Sequence, residues 1–427
     1  MTTPIDKEQK KLNVPHKRKQ NQTPLNSAER EEFHHKGNAP KLRFPEFEGE
    51  WEEHELSEFL DFKNGLNPKP EKFGKGIKFI SIMDILNNAV ITYDSIKTCV
   101  DATNEEIDNY SVKMGDLLFQ RSSETIEDVG RANVYMDKIP AIFGGFVIRG
   151  KRKKEYNPLF FRYLLASPYS RRKVIPMGAG AQHFNIGQEG LSKIKLYFPL
   201  QNEQDKMANL LSLLDDRITT QNKIIEDLKK LRFAIIEKEY TFKEQSHSHI
   251  GDFIEQISKR NKDNTIQNVL SVSNRQGFIR QSEQFEDRSV ASDDTSNYKI
   301  VRRNDFAFNP ARINVGSIAR LTIFEEGIVS PMYICFHTKD SILPEYLSFY
   351  FETKHFFSEM QKRLEGSVRQ CLSYEGLCNI PFFPPVIEEQ RRIGKQLSTM
   401  VRKINLEMTL LEMLQTQKTY LLRQMFI

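Results

Sequence analysis

The residues of this chain best equipped for chemistry are arginines, lysines, asparagines and glutamines, not an acid/base or metal-binding set. Positive runs stand at Lys151-Arg152-Lys153-Lys154, Arg171-Arg172-Lys173, Lys259-Arg260 and Arg302-Arg303. Cationic groups clustered in this way can neutralise phosphates, and a solvated face is the alternative use of any single run. The four cysteines (Cys99, Cys335, Cys371, Cys378) show neither zinc nor redox spacing, so no metal site is expected. His34-His35 and His247-x-His249 lie in polar linkers without an accompanying ligand cluster. Gly178-Ala179-Gly180 has no helix pattern after it. Asn309-Pro310-Ala311-Arg312 has alanine and arginine where a base-methylating motif needs a second proline and an aromatic. No Gly-x-x-x-x-Gly-Lys signature for ATP is present either. The expectation is a chain with no catalytic residue and no cofactor of its own.

These residues must be held by a sizeable scaffold. With 427 residues, 39% hydrophobic and 28% charged, the chain can build two cores plus extra helix. A net charge of +5 argues against a histone-like binder while leaving room for local basic surfaces. No apolar run is long enough for a membrane span and the amino terminus is polar, so a cytoplasmic protein is expected. Residues 1–44 are rich in Lys, Gln, Asn, Glu and His with little apolar periodicity and read as a mobile arm.

The organising feature is duplication. Glu189-Gly190-Leu191 returns as Glu375-Gly376-Leu377, Pro199 as Pro385, Glu203-Gln204 as Glu389-Gln390 and Val129-Gly130 as Val315-Gly316, all at one offset of 186 residues. A period this long means two copies of a whole domain, each followed by a helical segment. The resulting division is a first domain over 45–199, a helix over 200–244, a second domain over 245–385 and a helix over 386–427. Short β-rich runs at 78–83, 116–119 and 141–148 and a helix at 159–165 predict α/β or α+β domains.

Each helical segment carries a heptad. Met207, Leu210, Leu214, Ile224, Leu228, Leu231 and Ile235 form the first stripe, broken at Arg217 and Gln221. Ile393, Met400, Leu410, Leu414 and Leu421, supplemented by Leu397, Ile404 and Leu411, form the second, broken at Lys403 and Glu407. A helix of this length needs a partner stripe, and chain tracing favours antiparallel pairing of the two segments. Gln221 and Glu407 would then meet as a polar layer that fixes register.

Two stretches carry a resemblance. Phe198-Pro199-Leu200-Gln201-Asn202-Glu203-Gln204 and Phe383-Pro384-Pro385-Val386-Ile387-Glu388-Glu389-Gln390 each open a long helix after a variable domain. With the entry Lys41-Leu42-Arg43-Phe44-Pro45 through Trp51, they resemble the specificity subunits of type I restriction-modification systems over residues 42–427. Asn202 and Gly394 depart from the usual helix opening. The resemblance implies two target-recognition domains, each reading half of a bipartite site on double-stranded DNA. It also implies two antiparallel spacer helices that dock two methyltransferase subunits, and endonuclease/translocase subunits as further partners. Methyl donor and ATP would belong to those partners. Lengthening one spacer helix by four residues, about 6 Å, should then widen the unread gap without changing either word.

For such a task, base-edge contacts come from Arg to guanine and from Asn or Gln to adenine, on loops. Two loops per domain qualify. Gln120, Arg121, Ser122 and Ser123 follow an apolar strand, and their counterparts are Asn309, Arg312 and Asn314. Gln182, His183 and Asn185 sit in a Gly-bearing loop whose counterpart holds Arg369 and Gln370. Lys151, Arg152, Arg171, Arg172, Arg302 and Arg303 are the candidate phosphate contacts. A free-standing tandem DNA-binding regulator, or a coiled-coil scaffold with two protein-binding heads, is the alternative reading.

Overall fold

The computed structural model describes residues 37–241, 247–274, 276–284, 294–366 and 370–427. Most of the arm expected over 1–44, with His34-His35, lies outside the described residues, as does Arg369. Two compact units emerge, Met1–Asp216 with Gln415–Ile427, and Arg217–Leu414.

The first unit contains two four-stranded sheets. One is antiparallel, in the order Leu60–Asn64, Val147–Arg152, Leu117–Gln120, Ala132–Val134. The other runs Cys99–Val100, Phe73–Ile80, Ala141–Phe143, Ser111–Val112, and its central pair is parallel. The run expected as one strand over 141–148 is two strands in different sheets, because Gly144-Gly145-Phe146 turns the chain between them. Asn157 caps the helix Pro158–Ala166, its side chain accepting from Leu159 N and Phe160 N, with proline at the first turn. That helix buries Phe160, Phe161, Tyr163, Leu164 and Leu165.

The second unit repeats the two four-stranded sheets in the same order. Its antiparallel sheet is Ile254–Ile257, Ile334–Thr338, Phe306–Phe308, Ile318–Arg320; its other sheet is Gly277–Arg280, Val269–Ser273, Glu326–Val329, Lys299–Arg302, again with a parallel central pair. The mixed α/β fold and the internal duplication read from the sequence are therefore present in the backbone.

The two long helices are Gln201–Glu239 and Ile387–Gln424. In the second unit they run antiparallel: Gln221 meets Glu407, and Glu239 meets Arg392. Gln221 Nε2 donates to the Glu407 carbonyl at 3.0 Å and to its carboxylate, which also pairs with Lys403 Nζ at 2.5 Å. Those bonds to Lys403 and then Gln221 hold the Glu407 carboxyl below its ordinary value.

The seam differs from the expected stripe by one residue at every other position. Met207, Leu214 and Gln221 are buried and Leu228 half-buried, as expected, but Leu210, Ile224 and Leu231 are exposed. Their neighbours Leu211 and Ile225 are buried instead. In the second helix Ile393, Leu397, Ile404, Glu407, Leu414 and Leu421 are buried, and Met400 is half-buried. Arg217 and Lys403 are thus not breaks in the seam; the adjacent Ile218 and Ile404 occupy it, and the two charged residues face water.

Equivalent bonds fasten each domain to the helix that follows it. Gln204 Oε1 accepts from Asn157 N while its Nε2 donates to Pro199 O; Gln390 repeats both bonds with Leu343 N and Pro385 O. At the far helix ends, Tyr240 stacks on Tyr346 in the second unit and Phe426 packs on Phe160 in the first. In the first unit Arg43 makes a two-point pair with buried Glu203, at 2.8 and 2.7 Å, and Leu42 N donates to Gln424 O.

Candidate nucleic-acid interface

The two loops singled out in each domain are joined to one another. In the first domain Ser122-Ser123 pairs as a short antiparallel ladder with Phe184-Asn185, Ile186 N donates to Arg121 O at 3.0 Å, and Ser122 Oγ donates to Asn185 Oδ1. Ala179 and Asn185 close the second loop as a hairpin by exchanging backbone bonds. Gly180 enters that hairpin at φ +140°, and a Cβ there would stand 2.0 Å from His183 O, so only glycine fits. Gln182 and His183 are exposed at the tip.

The second domain repeats the backbone bond that joins the two loops. Leu372 N donates to Pro310 O at 3.1 Å, and Glu365 and Cys371 exchange backbone bonds. Gly366 follows at φ +103°. Gln370 is exposed. Arg312 is exposed beside a shallow cleft that it lines with Val272, Asn274, Val315 and Ser317, and Asn314 is half-buried.

Two expected contacts turn inward. Gln120 is only 4% exposed, because its strand is buried along its whole length, and its amide donates to Ser122 O at 2.9 Å. Asn309 is buried likewise and its Oδ1 accepts from Ala311 N. Both side chains bond to the backbone of the loops they precede, and the Gln120 amide is spent there as a donor. Arg121 is half-buried and donates to Gly145 O at 3.3 Å; Ser123 accepts from Thr125 N.

Most of the basic runs are occupied within their own domain. Arg152 pairs with Glu155 and donates to Tyr156 O; Lys153 donates to Ser57 O, and Lys154 pairs with Glu58 at 3.3 Å. Arg171 donates to the Glu127 and Val129 carbonyls, and burial, then the nearby Arg131 charge, pulls its guanidinium down to about 10, still cationic at neutral pH. Arg303 pairs with Glu325 at 2.5 Å, and Arg302 stands 3.9 Å from Glu326. Lys151 and Arg172 are exposed. Surface pairs of this kind contribute little to stability but keep a cation from a phosphate unless it exchanges partners. The sequence signals this only at the first run, where Glu155 follows Lys154; Glu58 and Glu325 reach their partners from distant parts of the chain.

Among the described residues no cluster of His, Cys, Asp and Glu could hold a metal ion, and no helix is long and apolar enough to cross a membrane. His247 and His249 are exposed, and His249 Nα bonds to Asp252 at 2.8 Å as part of a helix-capping turn.

A twice-repeated α/β domain that presents joined polar loops and opens into a long helix has the fold of a type I restriction-modification specificity subunit. The crystal structure of the S subunit of a type I restriction-modification system from M. genitalium superposes with a TM-score of 0.57 at 16% identity, covering 91% of this chain and 99% of that one. A structure from work on complex assembly and conformational transition of the type I restriction-modification system gives 0.53 at 13% identity, covering 87% and 96%. Residues 48–230, the first domain and most of the first long helix, match the family described as type I restriction modification DNA specificity domain. A protein of Methanocaldococcus jannaschii, named as the type I restriction enzyme MjaX specificity subunit, is 26% identical over 215 residues, 49% of this chain. The match spans about half the length of that relative, 50%.

Proposed function

We propose that this chain is the DNA-recognition subunit of a type I restriction-modification complex, each domain reading one half of a bipartite site through its joined loops. The observation that carries this is the repeated junction: the same amide-to-carbonyl bond, Ile186 to Arg121 and Leu372 to Pro310, holds the same pair of loops in both copies. A duplicated loop pair with exposed Gln182, His183, Gln370 and Arg312 supplies donors and acceptors suited to base edges. In this reading the chain contributes recognition and no catalysis. Two methyltransferase subunits dock on it, endonuclease/translocase subunits join for cleavage, and the methyl donor and ATP bind to those partners in the cytoplasm.

The test is co-expression with candidate methyltransferase subunits of type I systems, followed by long-read methylome sequencing of the host. Methylation at one two-part word with a fixed gap is the expected result. Methylation independent of this chain, or a single undivided word, overturns the reading.

A further inference from the structure

Beside each pair of loops, a tight turn leaves one large apolar side chain uncovered. Phe146 is 65% exposed and Met332 54%. They lie 186 residues apart, the offset of the duplication, and each turn closes identically: Val147 N donates to Gly144 O, and Tyr333 N to Ser330 O. Each turn feeds the strand lying against the one that launches a polar loop, with Val147 opposite Gln120 and Ile334 opposite Phe308. In the first domain the contact is direct, since Arg121 N donates to Phe146 O at 2.9 Å and its guanidinium to Gly145 O. In the second, the Tyr333 hydroxyl accepts from Val272 N, and Val272 lines the cleft shared with Arg312.

Single exposed apolar residues are ordinary on protein surfaces. These two differ in recurring at one backbone position in both copies, next to the polar groups that would face base edges. A base edge in the major groove offers one apolar feature, the thymine C5-methyl group. We propose that Phe146 and Met332 are specificity-determining residues, each packing against a thymine methyl in the half-site read by its domain. This rests on the DNA-reading function above.

The experiment uses the full-length chain and duplexes that it selects from a random-sequence library, with uridine then replacing thymine one position at a time. Removal of a single methyl should weaken wild-type binding about fourfold at one position in each word, the effect of losing one buried methyl group. Phe146→Ala should abolish that response in one word and leave it in the other; Met332→Ala should do the reverse. Phe146→Leu, which keeps an apolar tip, should retain part of it. A uridine response unchanged in both alanine variants, or no uridine-sensitive position at all, overturns the inference while leaving selection of two words intact. Failure of the wild type to select any word overturns the DNA-reading function and this inference with it.

Discussion

Among single residues, position relative to the sheet decides which polar groups can work. Arg312 is exposed at a cleft, and Arg312→Ala should relax one letter of the second word and weaken binding by about 1–3 kcal/mol. Competition binding against a panel of single-letter variants measures it; an unchanged preference at every letter excludes Arg312 from base reading. Asp215 makes a second prediction. It accepts from Arg162 at 3.1 Å, from the Tyr163 hydroxyl at 2.8 Å and from Lys418. Burial works against its charge, but the bonds from Lys418 and Tyr163 and the Arg162 charge outweigh that and hold its carboxyl below the ordinary 3.8. A depressed folded value means that its stabilisation is complete above the unfolded value and is lost as pH falls through the folded one. Melting temperature should therefore drop on acidification below about pH 4, and Asp215→Asn should flatten that part of the profile. The polar loops were legible from Gly-bearing, Arg- and Gln-rich stretches between strands. The inward turn of Gln120 was not, because a strand buried on both faces shows no alternation that would assign its last residue to a side.

In the long helices, existence and length were legible but the seam was only half so. Leu210-Leu211, Ile224-Ile225 and Leu410-Leu411 are doublets, so two heptad frames one residue apart fit equally well there. The single apolar residues Ile218 and Ile404 decide between them, and both favour the frame containing Leu211 and Ile225. Ile225→Ala should cost about 2–4 kcal/mol as a buried truncation, whereas Ile224→Ala should change stability by less than about 0.5 kcal/mol. Urea unfolding of the two variants checks this, and a larger loss at Ile224 than at Ile225 would return the seam to the frame containing Leu210 and Ile224. Strand order was beyond single-sequence reading, since it depends on pairings between segments far apart in the chain, such as Leu60–Asn64 with Val147–Arg152. The Gly144-Gly145 turn that separates two strands was readable, but the apolar residues on both sides ran together as one.

For the molecule as a whole, duplication was the most legible property because it needs no structural inference, only comparison of the chain with itself. The coincidence of strand order, loop junctions and helix-anchoring glutamines then follows from two similar sequences obeying the same local rules. Charge tells a different story. With a net charge of +5 and its basic runs largely bonded within their own domains, the chain alone should show a shallow salt dependence. A plot of log affinity against log salt concentration should have a slope smaller in magnitude than about 5, corresponding to fewer than about six neutralised phosphates. Fluorescence anisotropy between 50 and about 200 mM salt measures it, and a steeper slope would mean that the internal pairs open on DNA.

The replacement of Arg121 by Pro310 at the same junction separates the copies in one respect. Arg121 offers an amide that ties the neighbouring turn, while proline has no amide hydrogen to give, so the turn holding Met332 lacks that tether. Recognition by the carboxy-terminal half should consequently be the more forgiving of the pair. Degenerate letters should accumulate in its word while the other stays strict.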